Sequence, residues 1–230
     1  MNLGIVTSFY NGYDRFLPRW ALSICRQSVK PSYVCMVASG PMEDPGNKAV
    51  AESLFKRYKI KNVFITLDRH RGMGYARNAA VRNCISEWIM YLDVDDTILP
   101  MGVEYVAQYE GKADVICTAL AIEGCRERRV LKYLDVSREK QLKGLHCSSS
   151  HSVYRKSLWE KSPYIEENDY LEQPFWLGLA QAGATFIGTS EPITIYHARK
   201  DGHNLSLTKA QREAARRQYE RFVKEGVHPR

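Results

Sequence analysis

Three carboxylates crowd into four positions at Asp93, Asp95 and Asp96, directly after the apolar run Trp88-Ile89-Met90-Tyr91-Leu92. Like charges at that density repel, and their pKa values rise unless a cation neutralises them. A divalent metal that also bridges a phosphate-bearing substrate is the chemistry this cluster points to. The apolar run reads as a strand buried on both faces, as in a parallel sheet. Ligands of open α/β sheets sit beyond the carboxyl ends of such strands, where these aspartates fall. A competing local reading is a helix start, with Asp95-Asp96-Thr97 as its N-cap.

The elements that must position this cluster are legible on either side of it. Residues 3–8 read as a short strand. Residues 15–27 have helical spacing (Phe16, Trp20, Leu22, Ile24), with Asp14 as N-cap and Pro18 in the first turn. A second strand at 33–37, an amphipathic helix at 48–58 and a third strand at 62–67 follow. This βαβαβ alternation implies a parallel sheet with right-handed crossovers. A glycine-containing loop at 69–74 leads to a helix at 75–84 and then to the aspartate-ended strand. In the second half, strands are expected at 113–120 and 129–134, and a segment at 146–154 carries the polar run Ser148-Ser149-Ser150. A helix at 171–182 ends at Gly183, and short strands at 184–187 and 193–196 close the pattern. With no repeat or flexible linker, residues 1–206 read as one α/β domain, a mixed and mainly parallel Rossmann-like sheet flanked by helices. Residues 207–230 read as a basic C-terminal helix.

Composition agrees with one medium domain: 230 residues, 44% hydrophobic and 26% charged. No apolar stretch approaches the roughly 18 residues needed to span a bilayer, so no transmembrane segment is expected. The start, Met1 to Val6, reads as the first strand rather than a signal peptide. Cys25, Cys35, Cys84, Cys117, Cys125 and Cys147 form no C-x-x-C pair and read as reduced core residues, which favours a cytoplasmic protein. The net charge of +7 is uneven: the tail from Leu207 carries seven basic residues against three acidic ones. Such a helix can hold a polyanion or rest on an anionic membrane surface. The alternative is a solvated face packed on the domain through Ala215, Tyr219, Phe222 and Val223.

Several features stand in a fixed order. They are Tyr10-Asn11 after strand one, Arg71-Gly72-Met73-Gly74-Tyr75-Ala76-Arg77-Asn78-Ala79-Ala80, and Leu92-Asp93-Val94-Asp95-Asp96. After them come Leu171-Glu172 before Phe175-Trp176-Leu177, then Gly183, Tyr196-His197 and His203-Asn204-Leu205-Ser206. This set, over about residues 3 to 206, resembles the GT-A glycosyltransferases of family 2, a mostly inverting group. The resemblance implies a metal-dependent hexosyltransferase, using Mn²⁺ or Mg²⁺, that takes a nucleotide-sugar donor (a UDP-sugar by default). The implied acceptor is a hydroxyl of a saccharide or lipid-linked saccharide, or of a hydroxylated base in nucleic acid.

By the same resemblance, Asp93, Asp95 and His203 hold the metal, and Glu172 is the base that deprotonates the acceptor. Ser8, Tyr10, Asn11, Ser39, Asp68, Arg71, Gly74, Arg77, Asp93 and Val94 line the donor site. The two arginines are suited to phosphate oxygens. Asp96 and His197 are further candidates, and Asn78 reads as a structural tie at the helix–strand junction. Three departures stand out. Family members carry a Glu-Asp pair where this chain has Leu171-Glu172, with Glu166, Glu167 and Asp169 nearby. The carboxylate after strand two is replaced by Ala38-Ser39-Gly40-Pro41, leaving Ser39 or Asp68 to serve the base. Ser8-Phe9 stands in place of the common Pro-Thr. Two other classes remain: a nucleotidyltransferase, whose usual glycine-rich, lysine-bearing loop after strand one is not matched by Thr7 to Gly12 here, and a GT-A-like binding module without activity.

Overall fold

The sheet grows outward from β1 (Leu3–Phe9), which pairs in parallel with β2 (Tyr33–Ser39) on one side and β4 (Trp88–Tyr91) on the other. β3 (Asn62–Leu67) adds in parallel outside β2. The structure, a computed structural model, describes residues 1–124, 129–145, 148–166, 172–198 and 209–225. β1, β2 and β4 are nearly continuous apolar runs because helices cover both of their faces. α1 (Leu17–Cys25) and α2 (Pro45–Arg57) bury Trp20, Ile24 and Phe55 on one face. α3 (Met73–Asn83) buries Ala76, Ala79, Ala80 and Val81 on the other. The chain passes from β3 through α3 to β4 on the far side of β1. The direction of winding therefore reverses between β1 and β4, and their carboxyl ends open the crevice that such a reversal creates.

Asp14 does not cap α1. It opens a short 3-10 turn (Asp14–Phe16), and its buried carboxylate reaches the start of α2 instead. It accepts hydrogen bonds from the N–H groups of Asp44 (3.0 Å) and Glu43 (3.4 Å) and from the Asn47 amide (3.2 Å). The unpaired donors of a helix N-terminus are the natural partners of a buried carboxylate. These bonds outweigh burial and hold Asp14 below its ordinary pKa.

The second half contributes β5 (Thr97–Ile98), α4 (Gly102–Ala107), β6 (Val115–Glu123), β7 (Arg129–Leu131) and α5 (Arg138–Leu142). β8 (Val153–Arg155), α6 (Lys156–Lys161), α7 (Glu172–Gln181), β9 (Phe186–His197) and α8 (Lys209–Glu225) follow. The strand order is β3-β2-β1-β4-β8-β6-β9-β5, with β7 on β6. β8 runs antiparallel between β4 and β6, so it joins the parallel half to the mixed half.

Two local expectations are corrected here. Thr97 starts no helix; it enters β5, antiparallel to β9. The two short strands expected at 184–187 and 193–196 are one strand, β9, which follows β6 in parallel with register shifts near Cys117 and Ala119. There the Thr189 hydroxyl accepts the Ala119 N–H at 3.2 Å, so a side chain replaces a ladder bond. α8 rests on the domain: Tyr219 and Phe222 pack with Leu177, Leu142, Ile165 and Val223, while Arg217, Arg221 and Lys224 face solvent. Cys25, Cys35 and Cys84 are free and buried, and Cys117 is buried; Cys125 and Cys147 lie outside the described residues. Among the described residues no helix is long and apolar enough to cross a membrane.

Candidate active site

The aspartate cluster sits on a turn pinned from three sides. The Leu92 N–H donates to the Val6 carbonyl at 3.0 Å, continuing the β1–β4 ladder, and the Asp96 N–H donates to the Asp93 carbonyl at 3.0 Å, closing the turn. From α1, the Trp20 indole N–H donates to the Leu92 carbonyl at 3.1 Å, and Arg19 donates to the carbonyl of Asp95.

Two basic groups are already built in. The Arg77 guanidinium, 4% exposed, lies 3.4 Å from Asp93 Oδ1. It is held over the Tyr91 ring at 4.2 Å and reaches the Tyr164 ring at 5.6 Å. On the other side, His151 is fully buried, with Nε2 3.0 Å from Asp96 Oδ2 and 3.6 Å from Asp93 Oδ2. Burial works to lower the His151 pKa, but hydrogen bonding to and the charge of Asp93 and Asp96 push it up to about 10. Burial would raise the Asp93 pKa; His151 and Arg77 hold it below the usual carboxylate range instead. The repulsion expected from three neighbouring aspartates is thus met largely from within the chain. The remaining oxygen of Asp96, Oδ1, accepts the His197 N–H at 2.9 Å.

Asp93, Asp96 and His151 each bring one ligand atom to within 4.8 Å of the others, a set that could hold a metal ion. Asp96 Oδ2 and His151 Nε2 are sealed from solvent and lie 3.0 Å apart. Oxygen donors beside an imidazole fit Mn²⁺ or Mg²⁺. Of these three residues, Asp93 keeps solvent access, its side chain being 30% exposed. Asp95, also partly exposed, is outside the converging group. A cation arriving from solvent therefore meets Asp93 and Asp95 first, with Asp96 and His151 behind them. His203 lies outside the described residues.

Glu172 begins α7, partly buried. Burial raises its pKa; Arg77 opposes that shift, and Asp93 adds to it. Glu166 is engaged, its Oε1 accepting from the Asn78 amide at 3.1 Å, while Glu167, Asp169 and Leu171 lie outside the described residues. Ser8 is tied to Tyr91, whose hydroxyl accepts the Ser8 N–H at 3.0 Å and lies 2.7 Å from Ser8 Oγ. Ser39 Oγ meets His70 Nδ1 at 3.0 Å beside Tyr10, whose ring centre is 5.9 Å from that of His70. Asn11 is exposed and Val94 is buried. Asp68 and Arg71 pair with each other at 3.0 Å on the surface. His197 braces β5 against β9: its Nε2 lies 3.0 Å from Thr97 Oγ1, and burial, followed by Arg19, lowers its pKa.

Asn78 is structural, as the sequence suggests, but it ties α3 to α6 and the segment after it rather than holding a helix–strand junction. Its Oδ1 accepts from the Trp159 indole (2.9 Å) and the Tyr164 N–H (3.0 Å), and its Nδ2 donates to the Tyr164 carbonyl (2.8 Å). Gly74 serves the same junction: a Cβ there would stand 2.1 Å from the Ile165 carbonyl oxygen. Asn78→Leu fills the same space but strands those partners, each worth about 1–3 kcal/mol when left unpaired. Urea unfolding of this variant is expected to show a loss of at least that size.

Sequence reasoning missed His151, Thr194, His70 and the tyrosines Tyr91 and Tyr164. The signal for His151 was the polar run Ser148 to Ser150 in an otherwise apolar region, since buried polar groups must be paired. They are: Ser148 Oγ accepts from Gln141 Nε2 at 2.7 Å, and Ser149 Oγ donates to the Thr118 carbonyl at 3.1 Å.

The family model for glycosyl transferase family 2 matches residues 4–162. The chain is 32% identical over 117 residues to the uncharacterized glycosyltransferase MJ1057 of Methanocaldococcus jannaschii, covering 49% of this chain and 39% of that one. It is 26% identical over 193 residues to the uncharacterized glycosyltransferase YwdF of Bacillus subtilis, covering 79% and 69%. It therefore spans well under half of the first relative's length. Among solved structures, S. aureus TarS in complex with UDP-GlcNAc matches with a TM-score of 0.71 at 16% identity, covering 90% of this chain and 62% of that one. The mannosyltransferase PcManGT from Pyrobaculum calidifontis, in complex with GDP-Man and Mn²⁺, matches with a TM-score of 0.69 at 13% identity, covering 99% and 66%. At such identities these two establish the shared fold, the mixed sheet of GT-A enzymes. The sequence match across both halves of the crevice carries the rest: this chain belongs to glycosyl transferase family 2.

Proposed function

We propose that the protein is a metal-dependent inverting glycosyltransferase that moves a sugar from a nucleotide-diphosphate donor to an acceptor hydroxyl. The observation that carries this reading is the meeting of Arg77, the Asp93–Asp96 turn and Glu172 in one electrostatic field at the carboxyl ends of β1 and β4. The two structural neighbours bind UDP-GlcNAc and GDP-Man, which supports a nucleotide-sugar donor without choosing its base.

In this reading Arg77 and the Asp93–Asp95 segment bind the diphosphate end. Asp93 and Asp95, with His203 as a further ligand, would hold a divalent cation, which would supply Lewis acidity to the diphosphate leaving group. Glu172 takes the proton of the acceptor hydroxyl as its oxygen attacks C1 of the sugar from the face opposite the diphosphate. The C1–oxygen bond breaks, its electron pair leaves with the nucleoside diphosphate, and the configuration at C1 inverts. Tyr10 after β1, Ser39 at the end of β2 and Asp68 after β3 would contact the base. The acceptor is proposed to be a saccharide or lipid-linked saccharide. The free, buried thiols of Cys25, Cys35 and Cys84 suit a reducing compartment, in keeping with a cytoplasmic site of action.

A thermal-shift panel of nucleoside diphosphates and diphospho-sugars, each with Mn²⁺ and with chelator, tests the donor site. A ligand at about 100 times its dissociation constant stabilises the folded state by about 2.7 kcal/mol. The expected result is a metal-dependent upward shift with one nucleotide and its sugar conjugate. No shift with any of them removes the donor reading.

A further inference from the structure

We propose that His151 is a positioning residue: it clamps Asp93 and Asp96 from inside the protein and so fixes the turn that presents Asp93 and Asp95 to the metal and the donor. This rests on the donor reading above and adds a residue to it. The ring is completely buried and its two nitrogens face opposite tasks. Nε2 sits between two carboxylates, 3.0 Å from Asp96 and 3.6 Å from Asp93. Nδ1 lies 3.0 Å from the hydroxyl of Thr194, itself fully buried on β9. An imidazole oriented by an outer hydrogen-bond partner while it acts on metal-site carboxylates is the arrangement by which outer groups set ligand geometry.

The main chain at His151 is fixed as well. Its carbonyl accepts the Thr118 hydroxyl at 3.1 Å, and the Thr118 carbonyl accepts Ser149 Oγ at 3.1 Å. The network therefore runs from β6 and β9 through one ring to the turn beyond β4. Asp96 passes it on, since its other oxygen takes the His197 N–H at 2.9 Å. A merely structural contact would need neither carboxylate. Apolar packing would fill the space, and burying a histidine between two aspartates is costly unless their placement matters.

The test uses Thr194→Val, which keeps the shape and removes the partner of Nδ1, beside Thr194→Ser, which keeps the hydroxyl, and His151→Asn. Free Mn²⁺ is counted by electron paramagnetic resonance with the nucleoside diphosphate present, and kcat and KM for the donor are measured at saturating Mn²⁺. Thr194→Val is expected to weaken Mn²⁺ binding by about 10–100-fold, the range for lost outer partners of metal ligands. Its donor KM should recover at high Mn²⁺ while kcat stays low. Thr194→Ser should restore Mn²⁺ affinity, and His151→Asn, if folded, should lose more than Thr194→Val. Folded Thr194→Val with wild-type Mn²⁺ affinity and kcat overturns the assignment. If the unaltered protein binds no nucleoside diphosphate with or without Mn²⁺, the donor reading has failed and this inference falls with it. Wild-type binding together with unchanged variants removes His151 alone.

Discussion

Glu172→Gln is expected to lower turnover by about 10²–10⁴-fold, the usual contribution of a positioned base, while nucleotide-sugar binding is retained. Glutamine keeps the shape and the polar contacts but cannot accept the acceptor's proton. The pH profile gives the sharper signature. Burial raises the Glu172 pKa, Arg77 and His151 pull it down, and Asp93 and Asp96 push it up, with a net rise. A base works only when deprotonated, so kcat/KM should climb with pH through this raised pKa. Its acid limb should lie above that of an ordinary glutamate, and the limb should vanish from the residual activity of Glu172→Gln. Calorimetric titration of the donor separates binding from chemistry. Normal turnover in the variant moves the base elsewhere, to Glu167 or Asp169 in the segment just before α7.

The parallel half of the fold was legible because its grammar is local. Ile5-Val6, Val34 to Val37 and Ile89 to Leu92 are apolar on both faces, and the first two are each followed by a helix at workable spacing. What failed was capping and continuity. Asp14 has the right position for an α1 cap, but burial gave it the stronger partners at the start of α2. Residues 188–192 read as a break because Gly188, Ser190 and Pro192 are poor strand formers. The chain continues through them because Thr189 bonds across to β6 and Gly188 lets the Tyr133 carbonyl approach closely. Both outcomes depend on neighbours far away in sequence.

The site divides along the same line. Asp93, Asp95, Asp96, Arg77 and Glu172 were legible as candidates because they stand in motifs that follow one another in a fixed order along the chain. The compensation of the aspartates was not legible, because Arg77 and His151 reach them from distant parts of the chain. His151 stands 55 residues beyond Asp96 and reaches it only because β8 inserts beside β4. Nothing local distinguishes that histidine from a core residue except the serines before it. Likewise, the pairing of Asp68 with Arg71 and of Ser39 with His70 depends on loop geometry that periodicity does not describe.

Arg77→Met is expected to have two separable consequences, one on folding and one on chemistry. The guanidinium is buried, stacked on Tyr91 and set against Asp93 at 3.4 Å. Removing one partner of a buried ion pair typically costs about 3–5 kcal/mol, because the other charge stays buried. His151 still faces Asp93, which places the expected loss toward the lower end of that range. The chemical consequence follows from Glu172, whose pKa Arg77 lowers. Without that cation the glutamate should titrate higher, so the acid limb of kcat/KM should move to higher pH and donor affinity should fall with the lost phosphate contact. Arg77→Lys separates the two: it keeps the charge, and hence most of the limb's position, but loses the planar group over Tyr91 and part of the stability. Urea unfolding reads the first effect and the pH profile the second. An acid limb that stays in place in Arg77→Met would mean that Arg77 and Glu172 do not share one field. The crevice would then be a phosphate site with its base supplied from outside the pair.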